Sequence, residues 1–357
     1  MRQVLGAPSS RLREWTYRMR LLVLGGTAFV GDAIVSQALM RGWDVTTFNR
    51  GLTGHDRAGT TVVRGDRYRG ADIERLVEEE PWDAIVDTSG YTPSNVLHIA
   101  SAMKRRAHRY LLMSTVSVYA GWPAEALTED SDVLECPPDA DEHFGQDTED
   151  GPTKYGYQKS GCESAVRLVF GEDRATLLRP GVIIGPREYV GRLPWWLHRI
   201  SEGGRVLAPG DPARAIQPVD VRDLAAFTLR SIEQDVSGPL NVTAPFDFDT
   251  FGGLLAYCME ATQSASELLW VPDQVLVAAG VRQWSEMPLW RTHPGVWQVS
   301  SARAKAAGLI CRSLRQTVEA TWEWMRTSTP SLDGSDRASE IGLSRDREEQ
   351  ILASLTL

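Results

Sequence analysis

The sequence predicts an α/β fold: a doubly wound parallel sheet with a smaller C-terminal lobe. Three features carry that expectation. Short apolar runs alternate with segments of helical periodicity through the first half of the chain. Those runs lack polar alternation, as strands buried on both faces do. A glycine-rich turn, "GGTAFVG" (25–31), joins the first run to the first helical segment.

Taken in order, "RLLVLGG" (20–26) reads as strand one. "AFVGDAIVSQALMRG" has apolar residues at helical spacing up to Gly42. "DVTTFNRG" (44–51) and "TTVVRGD" (60–66) are strands two and three, and "ADIERLVEEE" is the next helix. "WDAIVDTSG" (82–90) is strand four, a helix spans 93–107, and "RYLLMSTVSVY" (109–119) is strand five. Residues 120–152 hold no Lys or Arg, are rich in Pro, Asp and Glu, and predict a long loop. A helix over 155–170 and a sixth strand, "ATLLRPGVIIG" (175–185), come next. Beyond them, turn-rich segments with many tryptophans predict the lobe, with "SSARAKAAG" and "LRQTVEATWEWMR" as its last helices. Residues 1–18 read as an extension outside the fold, and 327–340 as a polar linker to a short terminal helix.

With 357 residues, 42% of them hydrophobic and 24% charged, the composition is that of an ordinary globular protein with room for two units. A net charge of −9 argues against nucleic acid as a partner, since phosphate-binding surfaces need clustered cations. The four cysteines are far apart without a C-x-x-C, so neither a disulfide frame nor a metal site is indicated. No apolar run is long enough to span a membrane and the N-terminus has no signal-peptide core, so the cytoplasm is expected.

Glycines in the 25–31 turn let backbone N–H groups approach a pyrophosphate at a helix N-terminus. Gly25, Thr27, Ala28, Phe29, Val30 and Gly31 are therefore candidate cofactor contacts, although Ala28 departs from the usual three-glycine spacing. Strand two ends in "TFNRG", where a carboxylate would bind a ribose 2′-hydroxyl and an arginine would accommodate a 2′-phosphate. Asn49 and Arg50 occupy that turn, so NADP(H) is expected in preference to NAD(H).

The stretch "TKYGYQKSG" (153–161) supplies the chemistry. Tyr155 and Lys159 are four apart, on one helix face, whereas Tyr157 is out of register and is expected to pack. A phenol with a pKa near 10 is a poor acid or base at neutral pH, and a neighbouring ammonium favours its ionised form. Such a tyrosine gives a proton to a carbonyl oxygen as hydride arrives, or takes one as hydride leaves. Ser114, Thr115 and Ser117, at the end of strand five, are candidates for a hydroxyl that orients the substrate oxygen.

"GGTAFVG", "STVSVY", "YGYQK", "LRPGVIIGP" (178–186) and "VDVRDLA" (219–225), in this order, resemble the extended short-chain dehydrogenase/reductase family with its NAD-dependent epimerase/dehydratase group. The resemblance spans about residues 19–325. It implies a Rossmann-type dinucleotide domain over 19–180 with contributions near 216–245, a substrate lobe over 181–326, and a polar tail over 327–357. It further implies Tyr155 as acid/base, Lys159 on the nicotinamide ribose, and Thr115 as the hydroxyl residue. Asp66, followed by Arg67, matches the adenine contact; Ser89 and Gly90 border the cofactor, and Pro180 lies beside the nicotinamide. A homodimer acting on a small molecule is implied as well.

Departures from the family pattern narrow the reaction. Val116 and Ser117 stand where dehydratases carry Asp-Glu, so dehydration is not expected. The asparagine that nucleotide-sugar enzymes place after the strand-six arginine is absent, and their diphosphate arginine falls on Ile216, with Arg214 two residues away. Eleven carboxylates within 125–150 are expected to repel a nucleoside diphosphate and attract an amine. The expectation is an NADPH-dependent ketoreductase for a sugar-like or amino-sugar carbonyl. A nucleotide-sugar epimerase retaining NAD is the alternative, and a non-catalytic nucleotide- or RNA-binding relative the third.

Overall fold

The computed structural model describes residues 18–79, 81–148, 151–328 and 341–354. The expected extension, save Arg18, and most of the 327–340 linker lie outside the described residues. The N-terminal half alternates β1 (Arg20–Leu24), α1 (Phe29–Met40), β2 (Asp44–Asn49), β3 (Thr61–Arg64), α2 (Gly70–Glu78), β4 (Trp82–Asp87), α3 (Pro93–Met103), β5 (Ala107–Met113), α4 (Lys154–Phe170) and β6 (Ala175–Pro180). The chain continues through β7 (Ile183–Ile184), α5 (Arg192–Ser201), β8 (Arg205–Pro209), β9 (Ala215–Ile216), β10 (Val219–Asp220), α6 (Val221–Glu233) and β11 (Gly238–Val242). It ends with β12 (Asp249–Thr250), α7 (Phe251–Thr262), β13 (Glu267–Val271), α8 (Asp273–Ala278), α9 (Ala302–Ala306), α10 (Leu314–Thr327) and α11 (Arg345–Ser354).

Seven parallel strands form the main sheet in the order β11-β6-β5-β4-β1-β2-β3. Leu21, Leu22, Val23 and Leu24 are at most 1% exposed, because β1 lies at the centre with helices on both faces. Strand order reverses between β1 and β4, so the crevice beyond their C-terminal ends is where such a sheet takes its ligand. A second core, around Trp196, Phe251 and Trp290, holds α5, α7, α10 and α11 against the parallel pair β8–β13. Among the described residues no helix is long and apolar enough to cross a membrane.

Two expected strands end early. The sixth stops at Pro180 rather than running to 185, because β5 has ended opposite Leu178 and β11 ends opposite Pro180. With no ladder on either side, the chain leaves the sheet and β7 pairs with β10. Strand five stops at Met113, where Ser114 turns its hydroxyl onto Glu163 and Thr115 caps a 3-10 turn, Val116–Val118.

That Glu163 belongs to a buried network that ties α4 to β6. Arg179, with 2% of its side chain exposed, donates from Nε and Nη2 to both Glu163 oxygens at 2.9 and 2.6 Å. Its Nη1 donates to the Tyr119 hydroxyl at 2.9 Å, which donates to Asn241 Oδ1 at 2.7 Å. Removing one partner of such a pair strands a charge, at a cost of about 3–5 kcal/mol, whereas removing both does not. Glu163→Ala should therefore lower the unfolding free energy obtained from urea titration by that amount, and adding Arg179→Met should recover part of the loss. Equal stability of the single and double variants would show that the stranded charge is not the cause.

Candidate active site

Past Leu24 the chain turns through Gly25 and Gly26, both at positive φ (108° and 99°), into α1. A side chain at Gly31 would bring its Cβ to 2.7 Å from the Gly26 nitrogen, so helix and turn approach only because Gly31 has none. Ala28 is the N-cap, extended and exposed, and no side chain caps the amides behind it. Thr27, buried, reaches Thr53 across the loop after β2 (Oγ1 to Oγ1, 3.4 Å). Phe29 starts the helix at φ 37°, Val30 is half-buried, and the open amides suit an anion.

At the end of β2, Asn49 is tied into a small polar cluster. Its Oδ1 accepts from Gly51 N at 2.9 Å and its Nδ2 donates to Asp56 at 3.0 Å, while Arg64 from β3 pairs with both Asp56 and Asn49. Arg50 is exposed and, among the described residues, has no ion-pair partner. Sequence reading missed Asp56 and Arg64, since nothing local marks a carboxylate that returns from a loop.

Asp66 keeps its carboxylate on the Tyr68 amide (3.0 Å). Arg67 turns inward and donates to both oxygens of fully buried Asp87 at 2.9 Å, to Ser89 Oγ at 2.7 Å, and to Asn95. Tyr110 donates its hydroxyl to the same Asp87 at 2.8 Å. Burial opposes the charge on Asp87, but the Arg67 guanidinium outweighs it and holds the carboxyl below its usual range. Arg67 is thus a floor beneath the ends of β3 and β4, a role its sequence position did not reveal.

Lys159 is 2% exposed and donates to the carbonyls of Gly90, at 2.7 Å, and Met113. Burial lowers its pKa below that of an ordinary lysine. An ammonium has three hydrogens, and the third has no partner among the described residues. One turn earlier, Tyr155 is 40% exposed, its ring 6.4 Å from that of Tyr91, and the Tyr91 ring also lies 5.3 Å from Lys159 Nζ. A methyl at Gly156 would collide with the Ser117 carbonyl, so this glycine lets the start of α4 press against the turn that carries Thr115. Thr115 Oγ1 accepts from Ser117 N (3.1 Å) and donates to Ser117 Oγ (3.3 Å). Ser114 faces the buried network instead. Tyr157 packs on Phe144, with ring centroids 6.3 Å apart. Pro180 is buried at the end of β6.

The acidic loop spends part of its charge on its own fold. Buried Glu129 accepts from Asn241 N at 3.0 Å, Asp130 pairs with Arg303 at 2.6 Å, and Asp141 and Asp147 accept from backbone amides. Trp122, in the same loop, meets the lobe through Arg291, whose guanidinium lies 4.9 Å from the Trp122 ring and 5.6 Å from that of Trp284. Arg192 stands 5.3 Å from the Trp284 ring. Ile216 is fully buried, and Arg214 is committed to Asp273 and the Arg291 carbonyl. Neither supplies a free cation for a diphosphate.

The residues present fit a dinucleotide: open α1 amides, a buried ammonium with a hydrogen to spare, and hydroxyls at the end of β5. The sequence model of the NAD dependent epimerase/dehydratase family matches residues 21–243. Among solved structures, UDP-glucose 4-epimerase of Thermotoga maritima with UDP-glucose superposes with a TM-score of 0.64 at 17% identity, covering 86% of this chain and 99% of that one. The Thermus thermophilus UDP-glucose 4-epimerase complex with NAD gives 0.61 at 19% identity, covering 87% and 100%. A curated relative, the chloroplast stem-loop binding protein of 41 kDa b of Arabidopsis thaliana, is 24% identical over 258 residues. That match spans 68% of this chain and 63% of the relative. With its seven-stranded parallel sheet and a family match over more than half its length, the chain belongs to the NAD dependent epimerase/dehydratase family.

Proposed function

We propose that the protein is an NAD(P)H-dependent ketoreductase for a sugar-like carbonyl compound, with Thr115, Tyr155 and Lys159 as its catalytic residues. The observation that carries the reading is the pairing of an accessible Tyr155 phenol with a buried Lys159 ammonium beside the Thr115 turn. A bound dinucleotide supplies the hydride. Thr115 and Ser117 hold the substrate oxygen, and Tyr155 delivers a proton to it as the carbonyl carbon is reduced. Lys159, fixed by the Gly90 and Met113 carbonyls, keeps a positive charge behind the phenol, and its third hydrogen would be the one to hold the ribose of a bound dinucleotide. Val116 and Ser117 provide no carboxylic acid to expel water, which disfavours dehydration.

A substrate without a nucleoside diphosphate is supported by buried Ile216 and committed Arg214. The second reading, a nucleotide-sugar epimerase, is favoured by the likeness to epimerase structures. It uses the same residues and returns the hydride within one turnover. Stoichiometric NAD in the purified protein, together with interconversion of a UDP-hexose, would replace the first reading by the second. The likeness to a stem-loop binding protein raises nucleic-acid binding, which a net charge of −9 opposes. A homodimer belongs to the same proposal and is checked by sedimentation.

NADPH is the preferred cofactor in this reading, because exposed Arg50 is uncommitted whereas Arg64 is already neutralised by Asp56. Arg50→Ala should raise KM for NADPH about tenfold, the worth of one charge-assisted hydrogen bond, and leave NADH nearly unchanged. Equal effects on both would reject a 2′-phosphate contact. For the acid/base, Tyr155→Phe should lower kcat by about 10²–10⁴-fold with dinucleotide binding intact. Tyr157→Phe, which removes only a hydroxyl from a packing ring, should remain active; comparable losses in the two variants would remove Tyr155 from its role.

A further inference from the structure

Asp32 lies in the first turn of α1, one turn from the open amides, and its side chain is only 4% exposed. Two arginines from opposite sides of the crevice close on it. Arg57, in the loop between β2 and β3, donates from Nε and Nη2 to the two oxygens at 2.7 and 2.8 Å. Arg187, on the segment leading from β7 into the lobe, brings its Nε to 3.1 Å from Oδ2. The same two segments also meet the glycine turn elsewhere. Thr53 touches Thr27, a side chain at Gly54 would collide with the Thr27 carbonyl, and the Tyr189 ring stands edge-on to Phe29 at 6.1 Å.

One carboxylate facing two guanidiniums leaves a net positive charge. Arg57 alone satisfies Asp32 in a two-pronged pair, so Arg187 is surplus to the needs of that carboxylate. The terminal nitrogens of Arg187 have no partner among the described residues, and its side chain is 46% exposed. Its backbone sits at φ 69°, a left-handed conformation that an arginine adopts only at a cost, and such strain gathers at ligand clamps.

We infer that Arg57 and Arg187 form a latch over the pyrophosphate of the dinucleotide, with Asp32 holding both guanidiniums in position between the sheet half and the lobe. This rests on the dinucleotide reading of the site given above. The latch joins β2's loop to the lobe, so cofactor leaves only when the pairs on Asp32 part. Arg187 binds the phosphates through its terminal nitrogens, Arg57 reaches them only through the Nη1 that its pair with Asp32 leaves over, and Asp32 is a positioning residue that acts through both.

The test measures NADH affinity by calorimetry and its release rate by stopped-flow fluorescence. In Arg57→Ala and Arg187→Ala, Kd for NADH should rise about tenfold or more and release should quicken to match, as expected for loss of a charge-assisted contact. Both side chains are well exposed, so the variants should fold; Arg57→Lys and Arg187→Lys, which keep the charge, should lose less. Asp32→Asn should quicken release as well. Adenosine, which lacks the pyrophosphate, should bind all variants like the parent. Parent-level NADH affinity in both arginine variants, or an equal loss of adenosine binding, overturns the latch alone, and an unchanged release rate in Asp32→Asn removes Asp32 from it. Failure of the parent protein to bind NADH would instead reject the proposed function, and the latch with it.

Discussion

Lys159 carries its charge inside the protein, and an ammonium out of water must be met by oxygen from whatever surrounds it. Here the oxygens are the carbonyls of Gly90 and Met113, just past β4 and at the end of β5. Those two bonds fix α4 along the sheet, because a shift by one residue would leave the charge without partners. Tyr155, one turn up the same face, inherits its place from that constraint. Gly156 completes the arrangement by letting the helix start touch the Thr115 turn. The crevice at the strand ends is therefore built around a buried cation.

Two further buried pairs extend the same logic outward. Arg67 with Asp87 locks the end of β3 to that of β4, and Arg179 with Glu163 locks β6 to α4. Such pairs add little net stability, since apolar replacements of similar shape can serve the fold as well. Their bidentate geometry fixes direction: Ser114 is drawn back onto Glu163, which leaves Thr115 and Ser117 as the strand-end hydroxyls turned elsewhere.

Whatever rests on local periodicity was legible in the sequence. Alternating runs gave the parallel sheet, the Tyr155–Lys159 spacing gave one helix face, and the glycines gave the turn at α1. Tyr157, out of register with Lys159, packs on Phe144. What escaped depends on residues that meet across the fold. Arg67 and Asp87 are 20 positions apart and Arg187 reaches Asp32 across the crevice, and no spacing rule links either pair. The acidic run carries a field by composition, yet Glu129 and Asp130 answer Arg303 on α9, which packs against β11. Strand ends were overextended wherever a hydroxyl or a missing ladder partner, invisible locally, stopped the strand.

The latch bears on how the two enzymatic readings differ. A reductase must exchange its dinucleotide every turnover, whereas an epimerase regenerates the cofactor in place and gains nothing from letting it go. A permanent clasp would suit the second, and would be built of buried, fully satisfied pairs like Arg179 with Glu163. The clasp at Asp32 has a different character: the carboxylate is buried, but both arginines remain 38–46% exposed. Guanidiniums that already stand partly in water give up little solvation when they swing away, and what holds them is the buried carboxylate they would leave behind. A clasp of that kind restrains release without abolishing it, as a reductase that reloads its cofactor from solution requires.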